Sequence, residues 1–311
     1  MEVLSGILSV AVLAGGVLAL AALGEVLCER VGVVNIGVEG LMALGAVVGI
    51  ITVLTVPNVY VAFAASLATG FVFGAGFAVA TVLIRANQIL CGLALTLIGT
   101  GVAITIGKPY SSTPAPITFE PLIIPWFSDL PVIGRALFSQ NILVYLIYII
   151  LPIALHYLMF KTRHGMNMRA VGENPAAADA AGVPVLRIRF WYVAFGGALA
   201  AGAGGYLTLA YITSWSDGVV AGRGWIAVAL VIFAGYRPIN AVLAALLFGA
   251  ITALGFVGQA RNWPIPAPFL SMLPYLGTIA LMIAPVLAWR RVRQWMAAPA
   301  ALGTPYFRDT H

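Results

Sequence analysis

The sequence predicts an all-α fold, a polytopic bundle of about eight to nine membrane-crossing helices, on three observations. Hydrophobic residues fill 62% of the 311 positions and charged residues 8%, against roughly a quarter charged in a soluble domain. The apolar residues run in blocks of about 20, the length that crosses a bilayer core. The 16 Lys and Arg gather in a few short linkers. So few charges do not coat a soluble particle of this size, and the net charge of +6 reads as membrane topology and not as affinity for nucleic acid.

Taken in order, the clear apolar runs are 4–23, 38–54, 59–84, 90–106, 142–160, 190–212, 241–257 and 272–289. The first is expected to be kept as a span, because the chain starts Met1-Glu2 and meets no Lys or Arg before Arg30, unlike a secretory signal. A further run, 224–234, lies between Arg223 and Arg237. It is too short to cross alone and reads as a half-helix. Cys28 and Cys91 have no CxxC spacing and read as free thiols in apolar surroundings. The whole chain, 1–311, is expected to form one transmembrane domain.

Orientation follows from the basic linkers. The 161–189 linker carries Lys161, Arg163, Arg169, Arg187 and Arg189, and the tail 290–311 carries Arg290, Arg291, Arg293 and Arg308. Both are placed in the cytoplasm. Four segments lie between them if the short one passes through, which makes the two placements consistent. Arg30, Arg85 and Arg237 then fall inside, and Lys108, Arg135, Arg223 and Arg261 outside with the N-terminus. The outer linker 108–141 holds Pro109, Pro114, Pro116, Pro121, Pro125 and Pro131 with Trp126 and Phe127. Proline opposes regular helix and aromatics suit the interface, so it reads as an extended lid.

Glu39-Gly40 opens one apolar run and Arg223-Gly224 another, the first expected at the inner face heading out and the second at the outer face heading in. That is the relation of inverted repeats, four segments on each side of a fifth.

Catalytic motifs are missing: no HExxH, no GxSxG, no paired carboxylates on one helical face. Residues 101–108 (GVAITIGK) resemble a phosphate loop but have one residue too many, and Pro109 stands where Ser or Thr holds magnesium. No nucleotide or other cofactor is expected on this chain. The richest stretch is Gly172-Glu173-Asn174-Pro175-Ala176-Ala177-Ala178-Asp179-Ala180-Ala181-Gly182. Asn174 suits an N-cap, Pro175 the first helical position, the alanines a helix, and Gly182 with Pro184 a stop. A helix of about two turns is marginal in water, so it is expected to be held by packing on its own protein or on a partner.

This run, together with Asn35-Ile36-Gly37-Val38-Glu39-Gly40 and Gly222-Arg223-Gly224-Trp225-Ile226-Ala227, resembles the permease subunits of bacterial ATP-binding cassette importers for ribose-like sugars, branched amino acids and nucleosides. The smaller permease of the nucleoside and simple-sugar branch is the nearest likeness. The resemblance implies that 172–182 is a coupling helix seated on a cytoplasmic ATP-binding subunit that carries ATP and magnesium. It further implies a second, paralogous permease, an extracytoplasmic solute-binding protein or lipoprotein, and a place in the bacterial plasma membrane.

Candidates for the translocation path are polar residues within or beside spans. Glu39 is one, or else an interfacial carboxylate fixing its turn with Arg30. Asn35 shares that turn. Asn87 and Gln88 either meet solute or satisfy a broken helix end. Thr96, Thr100 and Thr105 recur along one span, yet threonines also bond back to their own helix. Trp215 and Trp225 flank the half-helix with Arg223, where an aromatic ring can stack on a base or sugar or belong to the interfacial belt. Gly45/Gly49 and Gly70/Gly74 suit close helix packing. His156 reads as a hydrogen-bonded core residue. A transporter driven by protons or sodium is the alternative to an ATP-driven importer, with Glu39 and His156 its available coupling groups. An intramembrane enzyme is a further alternative, disfavoured by the missing motifs.

Overall fold

The computed structural model describes residues 2–123, 125, 126, 128, 133–287 and 297–308. The expected Phe127, Pro131, Arg290, Arg291, Arg293 and the end of the last run lie outside them. In chain order the helices are α1 (Glu2–Arg30), α2 (Val38–Thr55), α3 (Val59–Ala78), α4 (Gln88–Gly107), α5 (Ile133–Phe138), α6 (Ile142–Tyr145), α7 (Leu151–Lys161), α8 (Arg163–Glu173), α9 (Pro175–Ala180), α10 (Val185–Tyr206), α11 (Arg223–Phe233), α12 (Pro238–Ala260), α13 (Ala267–Ser271) and α14 (Leu273–Leu287). Five-residue π-turns prolong α3 and α10 and join α6 to α7. Among the described residues seven helices are long and apolar enough to cross a membrane, and α11 and α14 are shorter apolar ones. This is the polytopic helical bundle read from composition.

The bundle is built round α10, which packs on α1, α2 and α3. Its sequence explains that position. Small residues let backbones meet: a Cβ added at Gly45 would lie 1.9 Å from the Ala201 carbonyl oxygen, one at Gly70 2.3 Å from that of Gly197, and one at Gly204 1.8 Å from that of Met42. Lipid tails are as apolar as leucine, so helices in a membrane associate through such close packing and not through burial of apolar area. By contrast α4 lies at the periphery and turns Leu90, Leu97 and Ile98 outward.

Three expectations about extent are corrected. The first helix does not end at residue 23 but runs on to Arg30, carrying Glu25 and Glu29 into the buried core at 1% and 2% exposure. The sixth span begins at Val185, so Arg187 and Arg189 belong to a helix and not to the linker. The 108–141 linker, expected to be extended, contains the short helix α5 and two three-residue strands, β1 (Pro121–Ile123) and β2 (Ser139–Asn141), paired antiparallel. It is nonetheless a cover at one end of the bundle: Ser112 and Ala115 donate backbone bonds to Trp215 and Thr213, and Phe119 sits edge-on to Tyr60 at 5.4 Å.

The opposite end collects Arg30, the α8–α9 pair, the start of α10 and residues 297–308, which touch one another through backbone and side-chain bonds. The linker and the tail therefore share one end, as the charge pattern requires.

Candidate functional site

Two chain entries from opposite ends meet inside the bundle. After Arg30 the chain turns back beside α1, so that the Asn35 backbone N–H donates to the Glu25 carboxylate at 2.9 Å. Glu25 lies about 7 Å up the helix from Arg30 at 1.5 Å per residue, so α2 starts within the bundle. From the other end, the chain leaves Trp215 beneath the 108–141 linker and descends to Ala221 and Gly222, both with positive φ, where α11 starts. The eleven residues of α11 cover about 16 Å, half a bilayer core. They end just before Gly235 and Tyr236, whose carbonyls accept from the Arg30 guanidinium.

At the meeting point Glu39, in the first turn of α2, accepts from the backbone N–H groups of Gly222 (2.7 Å) and Gly224 (2.8 Å). A carboxylate here satisfies two of the donors that a helix start leaves open, and the helix dipole favours it. The expectation differs in depth: Glu39 and Arg223 meet between the two ends of the bundle and not at opposite ends of it, and Arg30 bonds to the Gly235 and Tyr236 carbonyls and not to Glu39. In direction the expectation agrees, since α2 and α11 leave the joint toward opposite ends.

Most other path candidates hold backbone. Asn35 accepts from Gly37 N, Gln88 from Val34 N, and Thr96 donates to Ile36 O. Scattered in sequence, these three fasten the same re-entering loop. Asn87 caps α4 through Leu90 N, and Thr100 and Thr105 bond back to their own helix. Trp215 is 1% exposed and lies against Gly107, so it is a core residue and not part of an interfacial belt, whereas Trp225 is half exposed. The His156 ring lies tilted against that of Phe160, centroids 4.8 Å apart, and its Nδ1 has no hydrogen-bond partner, contrary to the hydrogen-bonded reading. Arg223 lines a cavity of about 230 Å³ beside the joint, with Thr252, Gln259, Ser271 and Tyr275. Arg223 also donates to the Val219 and Val220 carbonyls, and Tyr275 to that of Ala221.

The expectation of no paired carboxylates on one helical face is corrected: Glu25 and Glu29, four residues apart in α1, form such a pair, and sequence reasoning missed them. Each leaves its Oε2 without a hydrogen-bond partner. Two carboxylates four residues apart at the end of an apolar run were the available signal, since that spacing puts them on one helical face.

At the end that holds Arg30, Thr162 caps α8 through Gly165 N and Asn174 caps α9 through Ala177 N. Gly182 takes a φ of 81° and ends the turn. The six-residue α9 is shorter than two turns. Gly172 and Glu173 belong to α8 instead, where the Gly172 backbone presses on the Arg30 carbonyl. Ala176, Ala177, Ala180 and Ala181 face outward, and Ala178 is buried.

A bundle of membrane-crossing helices, with a re-entrant joint at its centre and a short capped helix at one end, is the membrane unit of a transporter. The chain belongs to the family described as the permease component of branched-chain amino acid transport systems, which matches residues 6–284. It is 35% identical to a putative glucose ABC transporter permease protein of Haloferax volcanii, over 99% of each chain. It is 35% identical to the nucleoside ABC transporter permease protein NupC of Lactococcus lactis, over 84% of this chain and 86% of that one. It is 31% identical to the guanosine ABC transporter permease protein NupQ of Bacillus subtilis, over 99% and 98%. No solved structure matches it. The chain is thus a multi-pass permease subunit of an ATP-binding cassette transport system, whose ATPase activity lies in a separate subunit.

Proposed function

We propose that this permease imports a nucleoside or a simple sugar, driven by a cytoplasmic ATP-binding subunit that contacts α9. The names of the relatives, which cover glucose, nucleoside and guanosine, support the substrate class. The observation that carries the coupling is α9 itself: a capped helix, fixed on its inner side by the buried Ala178, offering four small alanines outward. Small side chains on a rigid element suit insertion into a partner's groove. Arg30, Arg85, Arg189 and Arg308 lie at the same end through contacts with one another's neighbours, which supports a cytoplasmic position for that end and for the C-terminus, with the N-terminus outside.

In this reading a second permease chain completes the translocation path, and an external solute-binding protein or lipoprotein delivers the solute. ATP and magnesium stay on the ATPase, and this chain binds no cofactor. The path passes the Arg223 cavity, whose hydroxyl, amide and guanidinium groups suit a neutral polyhydroxy solute. ATP-driven movement of α9 rocks the helices behind it and changes which end of the cavity is open.

The test uses an exposed and a buried alanine. Ala177→Arg is expected to cut co-purification of the ATP-binding subunit at least tenfold while the permease keeps its melting temperature. Ala178→Arg, which forces a charge into the core, is expected to lower the melting temperature itself. Full ATPase binding by Ala177→Arg refutes the assignment of α9.

A further inference from the structure

The C-terminal residues 297–308 do not trail off the bundle. Ala301 N donates to the Gly172 carbonyl at 2.9 Å, Gly303 N to that of Gly32 at 3.1 Å, and Ala300 N to the Glu173 carboxylate at 3.2 Å. Arg189, buried at the start of α10, donates to the Thr304 carbonyl at 3.0 Å. Tyr306 is 9% exposed, and its hydroxyl donates to Asp179 at 2.9 Å. Arg308 pairs with the same carboxylate at 3.0 Å, and Arg85 lies over the Phe307 ring at 4.9 Å. One segment, turned at 300–303, thus ties together the α1–α2 turn, the α3–α4 turn, the end of α8, α9 and α10.

We infer that residues 297–308 are a strap that fastens the coupling helix to the re-entering loop, and that movement of α9 reaches the central joint through it. The inference rests on the reading of α9 as the ATPase contact.

The chemistry assigns the parts unequal weight. Asp179 is the α9 side chain that reaches another segment, and it is held mainly by Tyr306, because a buried hydroxyl donating to a carboxylate makes a strong bond. Arg308 is 71% exposed, and a pair so open to water contributes little. From Tyr306 the strap runs back to Gly303, which is bonded to Gly32. The loop that follows, residues 31–37, leads directly into Glu39 and hence to Gly222 and Gly224 at the tip of α11. Each link is a backbone bond or a polar contact at least partly buried, so displacement at one end is passed along the strap. Tyr306 is accordingly a positioning residue.

The test has two arms, each using Tyr306→Phe with Arg308→Ala. In the first, the full-length permease alone in lipid nanodiscs is followed by amide hydrogen exchange. Residues 177–183 are expected to exchange about tenfold faster in the variant, the loss equivalent to one such bond, while α10 stays protected and shows that the bundle is folded. Unchanged exchange at 177–183 overturns the strap.

In the second arm, the complete transporter is reconstituted and the uptake of tritiated guanosine, or in a parallel set of labelled glucose, is divided by ATP hydrolysed. The ATPase is expected to remain bound and active, with uptake per ATP falling about fivefold, a typical coupling magnitude. An unchanged ratio overturns the transmission role. Loss of the ATPase from the variant also overturns it, since the tail is then part of the docking face. If the ATPase fails to bind the unaltered permease while the first arm holds, the α9 assignment fails and the strap remains as a fastening.

Discussion

Gly204→Leu is expected to prevent the permease from accumulating in the membrane, or to destabilise it by about 3 kcal/mol or more. A Cβ at this position meets the Met42 carbonyl oxygen at 1.8 Å and its carbon at 2.7 Å. The obstacle is helix backbone, which cannot rotate away like a side chain. α2 and α10 must therefore separate along their whole seam, which loses contacts at Gly45 as well. Within lipid no hydrophobic driving force restores the pair. Gly76→Ala and Gly101→Ala are the controls: nothing lies within 4 Å of either added carbon, and alanine favours helix over glycine by about 1 kcal/mol. Both are expected to be neutral or slightly stabilising. Membrane yield and thermal melting in detergent separate the cases, and a Gly204→Leu protein melting like the parent contradicts the packing described.

Glu39→Ala is expected to leave the fold in place and to reduce transport more than tenfold. The substitution strips Gly222 and Gly224 of their acceptor, at about 1–3 kcal/mol for each buried donor. That is enough to fray the first turn of α11 but not to unfold seven long helices. Glu39→Gln keeps one acceptor oxygen and turns its amide nitrogen toward a second N–H, so an intermediate loss is expected. Glu39→Asp is one methylene short of both donors and is expected to resemble alanine. Initial uptake rates at matched membrane levels, with amide exchange of residues 222–224, check the series. Parent-level uptake by Glu39→Ala with those amides still protected shows that the carboxylate does not hold the joint.

Much of this architecture was legible in the sequence because membrane helices advertise themselves by length and apolarity. The short run before Arg237 announced its half-span by being too short, and Asn174-Pro175 with Gly182 announced α9 by local capping chemistry alone. Depth was not legible. Glu39 and Arg223 sit beside run boundaries, and a boundary in sequence reads as a membrane face unless the chain is known to fold back. The same limit hid Glu25 and Glu29, because a charged residue after an apolar run is naturally taken as its end, whereas here the helix continues and buries both. The joint roles of Asn35, Gln88 and Thr96 were illegible for another reason: they converge on one loop from segments up to 60 residues apart, and no local pattern records that. Ala178 was indistinguishable from its neighbours until the helix had a side to bury.

ATP-dependent uptake by the purified permease, with its ATPase and the second permease and solute-binding protein proposed above, tests the central claim most directly, in liposomes with ATP sealed inside and no ion gradient. The account predicts accumulation of labelled nucleoside or sugar with hydrolysable ATP and none with a non-hydrolysable analogue, and loss of accumulation with Ala177→Arg. Accumulation driven by a proton or sodium gradient in liposomes that hold no ATP would contradict it.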